Sequence, residues 1–131
     1  MTAGQLAYHM AAAPSGVMNL ALSDEMPMPD FNRPNPQPLS LSEILDAFDA
    51  SVQFVIETLG TFSDEQMNAI WRMTRDGKDL VAMPRAAVCR SFLLNHWYHH
   101  RGQFGVYLRL LGAKVPSSYG PSGDEMPDFA K

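Results

Sequence analysis

Apolar residues recur at helical spacing over three long stretches of the chain and alternate over one short stretch. Leu6, His9, Met10, Ala13, Val17 and Leu20 form the first helical series. Thr2 and Gln5 have capping-box spacing, so a helix is expected almost at once. Pro14 lies inside this series and is expected to kink or divide the helix, because proline lacks the backbone donor and clashes with the preceding turn. From Ser23 to Pro38 the density of prolines excludes helix and central strand, which makes 23–39 a long surface crossover. Leu41, Leu45, Phe48, Val52, Val55 and Leu59 then step by four, three, four, three and four, one apolar stripe of bundle geometry. Ser40 and Glu43 have capping-box spacing ahead of it, and Gly60 stops it. Ser63 and Gln66 cap a shorter helical piece to about Arg72.

The segment RMTRDGKDLVAM alternates on either side of Asp76-Gly77, a hairpin turn signal, and predicts a small two-stranded ribbon. Pro84 suits the first turn of a last helix, which runs to about Leu111 with Gly112 as its stop. The Pro-, Gly- and Ser-rich tail, 113–131, is expected to be extended, and no internal repeat is found. The pattern as a whole predicts an all-α, up-down helical bundle in a single domain over 1–131, with a small hairpin before the last helix.

Composition narrows the function classes. The 131 residues suffice for one core without staples, and 46% apolar with 18% charged is globular. A net charge of −4 gives no basic footprint for nucleic acid. No apolar run approaches the ~20 residues that span a bilayer, so no membrane segment is expected, and no signal peptide is visible. The single cysteine, Cys89, excludes an internal disulfide framework and fits a reducing cytoplasm.

The chemistry concentrates in NHWYHHRGQFGVYLRLLG, which holds three of the four histidines within five positions. On a wheel of ~100° per residue, Cys89, Phe92, His96, His100, Gln103, Tyr107 and Leu110 point within about 40° of one direction. His99 lies about 60° off that line, nearer the edge. An i, i+4 histidine pair stacks two imidazoles on one face, where a single divalent ion can bridge them. A third ligand must come from another helix, and His9 is the remaining histidine, on an apolar stripe of its own. Three protein ligands leave a coordination position open, the mark of catalytic sites. The bland alternative is three neutral core histidines that satisfy one another. Cys89, two turns from His96, reads as a structural thiol.

HHRGQFGVYLRLLGAKVPSSYGPSGDE resembles the C-terminal signature of the DinB-like (damage-inducible) helical-bundle family: HxxxHHRGQ, an apolar helix end, a VP segment and YGPS before an acidic residue. TAGQLAYHMAAAP resembles that family's earlier helix, which supplies the first ligand histidine, and Pro84 matches its proline-opened final helix. The resemblance implies a four-helix type of bundle and a divalent ion held by His9, His96 and His100, with His99 a neighbour. Zinc and nickel lead among the ions, with iron and manganese behind. Family members usually carry another long helix before the His9-type helix, so the chain reads as lacking most of a first helix, through truncation or as a shortened form.

Two functional readings follow. The first is a metal-dependent hydrolase or thiol-dependent transferase acting on a small molecule, with a low-molecular-weight thiol as a candidate partner. Gln103 and Tyr107 are then the residues available to bind water or substrate, although core packing also suits Tyr107. The second is a non-catalytic stress-related or interaction bundle with a vestigial site. A homodimer is expected, because Leu94, Tyr98, Gly102 and Gly105 cluster on the opposite face of the last helix. Asp124 and Glu125 of the tail could pair with Arg101 or Arg109, or form a solvated charge run.

Overall fold

The computed structural model describes residues 1–30 and 32–130. Phe31, within the crossover, and Lys131, at the end of the tail, lie outside the described residues. The order is α1 (Ala3–Ala21), β1 (Glu25–Pro27), α2 (Leu41–Leu59), α3 (Asp64–Asn68), β2 (Ile70–Arg75), β3 (Lys78–Pro84), α4 (Arg85–Val88), a π-helical segment (Cys89–Asn95) and α5 (His96–Leu110). A 3₁₀ turn, Asp128–Ala130, closes the chain.

The expectation of an all-α bundle is corrected. The helices pack on a three-stranded mixed sheet, ordered β1-β2-β3. The Asp76-Gly77 turn forms as read, with positive φ at both residues (52° and 72°), and joins β2 to β3 antiparallel. The crossover adds a strand that no alternation announced. Glu25–Pro27 pairs parallel to Arg72–Thr74, with Met26 beside Met73. Three residues ending in proline are too short for a sequence pattern, and as an edge strand they tolerate that proline. Strand β2 begins at Ile70, so the capped helix after Ser63 ends at Asn68 and does not reach Arg72. Trp71, fully buried, docks the sheet on the helices and donates its indole Nε1–H to Leu20 O at 3.1 Å.

Helix boundaries follow the local signals. Thr2 with Gln5 and Ser63 with Gln66 form complete capping boxes. Ser40 accepts from Glu43 N–H, but the Glu43 carboxylate reaches past it to Leu39 N–H (2.7 Å), so that box is half made. At the end of α5, Gly112 (φ 71°) donates to Arg109 O and Ala113 to Leu108 O, a Schellman stop.

Pro14 does not divide α1, which runs unbroken from Ala3 to Ala21. The helix survives because neighbours take up the groups that proline leaves without helical partners. Met10 O, which residue 14 cannot serve, accepts the Trp97 Nε1–H at 3.1 Å from α5. Ser15 N–H donates to Ser51 Oγ of α2 at 2.8 Å. Helix α1 thus lies between α2 and α5, clamped to both at its weakest turn.

Two clusters make the core. Met18, Ala21, Cys89 and Leu93 form one, with Val55 and Phe62 against it. Met26, Trp71 and Val88 form the other, under the sheet. The α2 stripe contributes little to either. Helix α2 buries Ser51 and Thr58 towards the interior, while Leu41, Leu45, Phe48, Val52 and Leu59 are exposed. The wheel of the last helix also needs correction. The π-helical stretch Cys89–Asn95 widens the turn, so Leu93 joins Cys89 in the core. Separately, Leu110, in the last turn of α5, is exposed.

The tail is not free. Arg109 pairs with Asp124 at 2.6 Å and donates to Ser122 O, while Glu125 accepts from Ser117 N–H. Arg101 stacks on Trp97, Tyr98 and Tyr119, with its guanidinium carbon 4.5 Å from the Tyr119 ring centre. A Cβ at Gly105 would sit 3.6 Å from Val115. The tail therefore packs on much of the face formed by Tyr98 and Gly105 that the sequence assigned to a second copy.

Candidate metal centre

His9 is carried by α1, and His96 and His100 by the first turns of α5. The clamp between Trp97 Nε1–H and Met10 O joins the residues next to His96 and His9, so it sets the register of the two helices beside the cluster. The three imidazoles meet edge to face, with ring centres 5.2, 4.6 and 4.4 Å apart and planes at 82–90°. One ligand nitrogen from each lies within 4.8 Å of the others. That span is close to the ~4 Å that two nitrogen bonds to one ion cover end to end.

His100 is buried, and His9 and His96 are half-buried. His100 Nδ1–H donates to Gln103 Oε1 at 3.0 Å. An amide oxygen only accepts, so Nδ1 holds the proton and Nε2 turns a lone pair into the cluster. That lone pair faces His96 Nε2 at 2.9 Å, which carries the bridging proton in the absence of a cation. Burial, followed by the neighbouring His100, His9 and His99, pushes His96 down to about 4. Burial and then His100 lower His9. These bases are therefore neutral at physiological pH, the state that ligates metal. The donor set, three imidazoles without a carboxylate, suits zinc, nickel, copper or iron.

The remaining sequence candidates fall elsewhere. Gln103 orients His100 and is not held towards open space. The Tyr107 hydroxyl donates to Met1 O at 3.0 Å, which ties the start of the chain to α5. His99 is exposed and packs against His100, with ring centres 4.9 Å apart. Cys89 lies in the core, where burial pushes its thiol up, as expected of a structural thiol.

Sequence reasoning missed Arg85. Its guanidinium is buried at the C-terminal end of α1, where Nε donates to Ala21 O at 2.6 Å and the remaining nitrogens to Gln66 O, Ser23 O and the Asp24 carboxylate. A cation at a helix C-terminus satisfies carbonyls that have no helical partner. The only sequence signal is an arginine directly after the Pro84 helix opener, which is too common to single out.

The DinB family model matches residues 1–128. The chain belongs to the DinB family. A DinB-family crystal structure is similar in fold: a DinB-like protein from Bacillus cereus ATCC 10987 superposes with a TM-score of 0.67 at 25% identity, over 90% of this chain and 73% of that one. An uncharacterised protein of Bacillus subtilis (strain 168), YrdA, is 31% identical over 135 residues, 98% of this chain and 72% of the relative. Among the described residues, no helix is long and apolar enough to cross a membrane.

Proposed function

We propose that this DinB-family chain binds one divalent metal ion through His9, His96 and His100, and uses it in hydrolysis or thiol-dependent transfer on a small molecule. The observation that supports this reading is the convergence of three imidazoles from two helices, one of them pre-set as a lone-pair donor by Gln103. Bound there with a coordination position open, an ion would supply Lewis acidity or stabilise a thiolate. The protein's own contribution is orientation. Gln103 holds the His100 tautomer, Trp97 fixes α1 against α5, and His96 would hold an ion through Nε2 as the tautomer with its proton on Nδ1. The native ion is zinc or nickel in this reading, with iron or manganese next. The location is the cytoplasm, where a reduced Cys89 is stable.

A second reading is favoured by one observation. The His96–His100 hydrogen bond already satisfies both nitrogens without a cation, as a non-catalytic protein requires. Metal analysis of the purified chain separates the two readings. One equivalent per chain, lost together with thermal stability on chelation, is the expected result. A metal-free protein with an unchanged melting temperature in chelator removes the first reading.

A further inference from the structure

Arg101 follows His100 on α5, and its guanidinium is enclosed by three aromatic rings. The guanidinium carbon lies 4.5 Å from the ring centre of Tyr119, 5.2 Å from that of Tyr98 and 5.7 Å from that of Trp97. Trp97 and Tyr98 belong to α5, whereas Tyr119 comes from the tail and meets Tyr98 edge to face at 6.0 Å. Among the described residues no carboxylate pairs with Arg101, so ring faces are what hold its charge. The loop that presents Tyr119 is closed by Val115 N–H on the Asp124 carboxylate and Ser117 N–H on that of Glu125. Asp124 in turn pairs with Arg109, which ties the loop to α5.

Trp97 connects this cluster to the histidines. Its Nε1–H holds Met10 O at 3.1 Å, and Trp97 and Met10 are the chain neighbours of His96 and His9. The half-buried indole also lines an apolar groove of about 240 Å³, together with Pro14, Val52 and Leu94. That space lets the ring turn away from Met10, and one neutral hydrogen bond favours the clamped position only about fivefold. Arg101 packs on the ring and adds to that preference, and Tyr119 keeps Arg101 there. We propose that the tail is a positioning element of the metal centre. Tyr119 holds Arg101 on the Trp97 indole, and the indole keeps α1 and α5 in register at His9 and His96. The functional consequence rests on metal binding by the three histidines, whereas the contacts stand without it. A ligand set tolerates displacements of only about 0.5 Å, so opening of the clamp is the route by which an ion is lost.

Two measurements on the full chain test this. In metal-free protein, solvent exchange of the Trp97 indole N–H, followed by nuclear magnetic resonance, reports opening of the clamp. The Trp71 indole N–H, bonded to Leu20 O, is the internal reference. Tyr119 is 72% exposed, so Tyr119→Ala should leave the fold intact. It should speed Trp97 exchange at least about threefold and leave Trp71 exchange unchanged. In zinc-loaded protein the same change should speed zinc release into excess chelator at least about threefold. Tyr119→Phe, which keeps the ring, should match wild type in both measurements. In a Trp97→Phe background, which lacks the clamp donor, Tyr119→Ala should speed release no further. Unchanged Trp97 exchange in Tyr119→Ala, or equal acceleration of both indoles, overturns the proposal. Faster exchange with unchanged release overturns the link to the metal, as does an equal gain in release rate with and without the Trp97 donor. A wild type that takes up no zinc overturns metal binding alone, and the exchange result then decides whether the tail sets the clamp.

Discussion

Helix α1 is held by two polar clusters, one beside each end, and they are built in opposite ways. At its C-terminal end, Arg85 brings five N–H donors and meets three carbonyls and a carboxylate. Four of the five donors are taken by these acceptors, and no lone pair is left facing another. Towards its N-terminal end, three histidines bring lone pairs to one point, and one bridging proton is all that fills the space between His96 and His100. Donors are short there. A satisfied cation is a structural staple, whereas an excess of convergent lone pairs is a receptor for a proton or a metal. Arg85 and His100 are both buried, and the clusters around them differ in that balance.

The contrast predicts different responses to mutation and to metal. The largest effect is expected from Arg85→Met, which strands Ala21 O, Ser23 O and Gln66 O. Unfolding in urea should show a loss of about 3–5 kcal/mol, the same with or without chelator. A loss confined to metal-loaded protein would show that the two clusters are not independent. His100→Ala should instead leave the metal-free protein close to wild type and lower metal affinity by at least about a hundredfold in competition titrations. His99→Ala should lower it far less, and equal losses would put His99 among the ligands. Gln103→Leu, which frees the His100 tautomer, should cost about 10–100-fold in the same titration.

The pH response should divide the clusters as well. His96 is lowered to about 4 in the folded chain, against an ordinary value of 6.5. Between those values the unfolded state binds the proton and the folded state does not, so stability is complete above about pH 6.5 and falls as pH drops towards 4. Melting of metal-free protein from pH 7 to 4 should show this decline, and His96→Gln should flatten it. A wild-type profile that stays flat would mean the imidazoles are not buried as described. The smallest effect is expected at the clamp. Trp97→Phe removes the donor to Met10 O and should cost about 1 kcal/mol in urea unfolding. In a Pro14→Ala background, residue 14 can serve Met10 O, and the same change should cost less.

Some of this was legible in the chain because the signals are local. Capping boxes at Thr2 and Ser63, the Asp76-Gly77 turn and the Gly112 stop act within four or five residues, and each forms where the sequence places it. Proximity of His96 and His100 needs only four residues of helix. Other features required partners far along the chain. Strand β1 exists because Arg72–Thr74 is beside it, and three residues with a proline carry no periodicity of their own. A regular wheel could not foresee the π-helical stretch, which put Leu93 in the core beside Cys89.

The sequence by itself placed His9, His96 and His100 on helical stripes, with Gln103 one turn on. It also determined that α2 has a single apolar stripe, but not where that stripe points. Only the tertiary structure decided that Ser51 and Thr58 face inward and Leu45 and Ile56 outward. The same holds for Met10 O, whose missing partner follows from Pro14 but whose replacement, Trp97, is 87 residues away. Hydrophobic periodicity records that a face is apolar, and local hydrogen-bonding rules record that a group lacks a partner. The identity of what covers the face or satisfies the group depends on chain segments that meet only when the fold is complete.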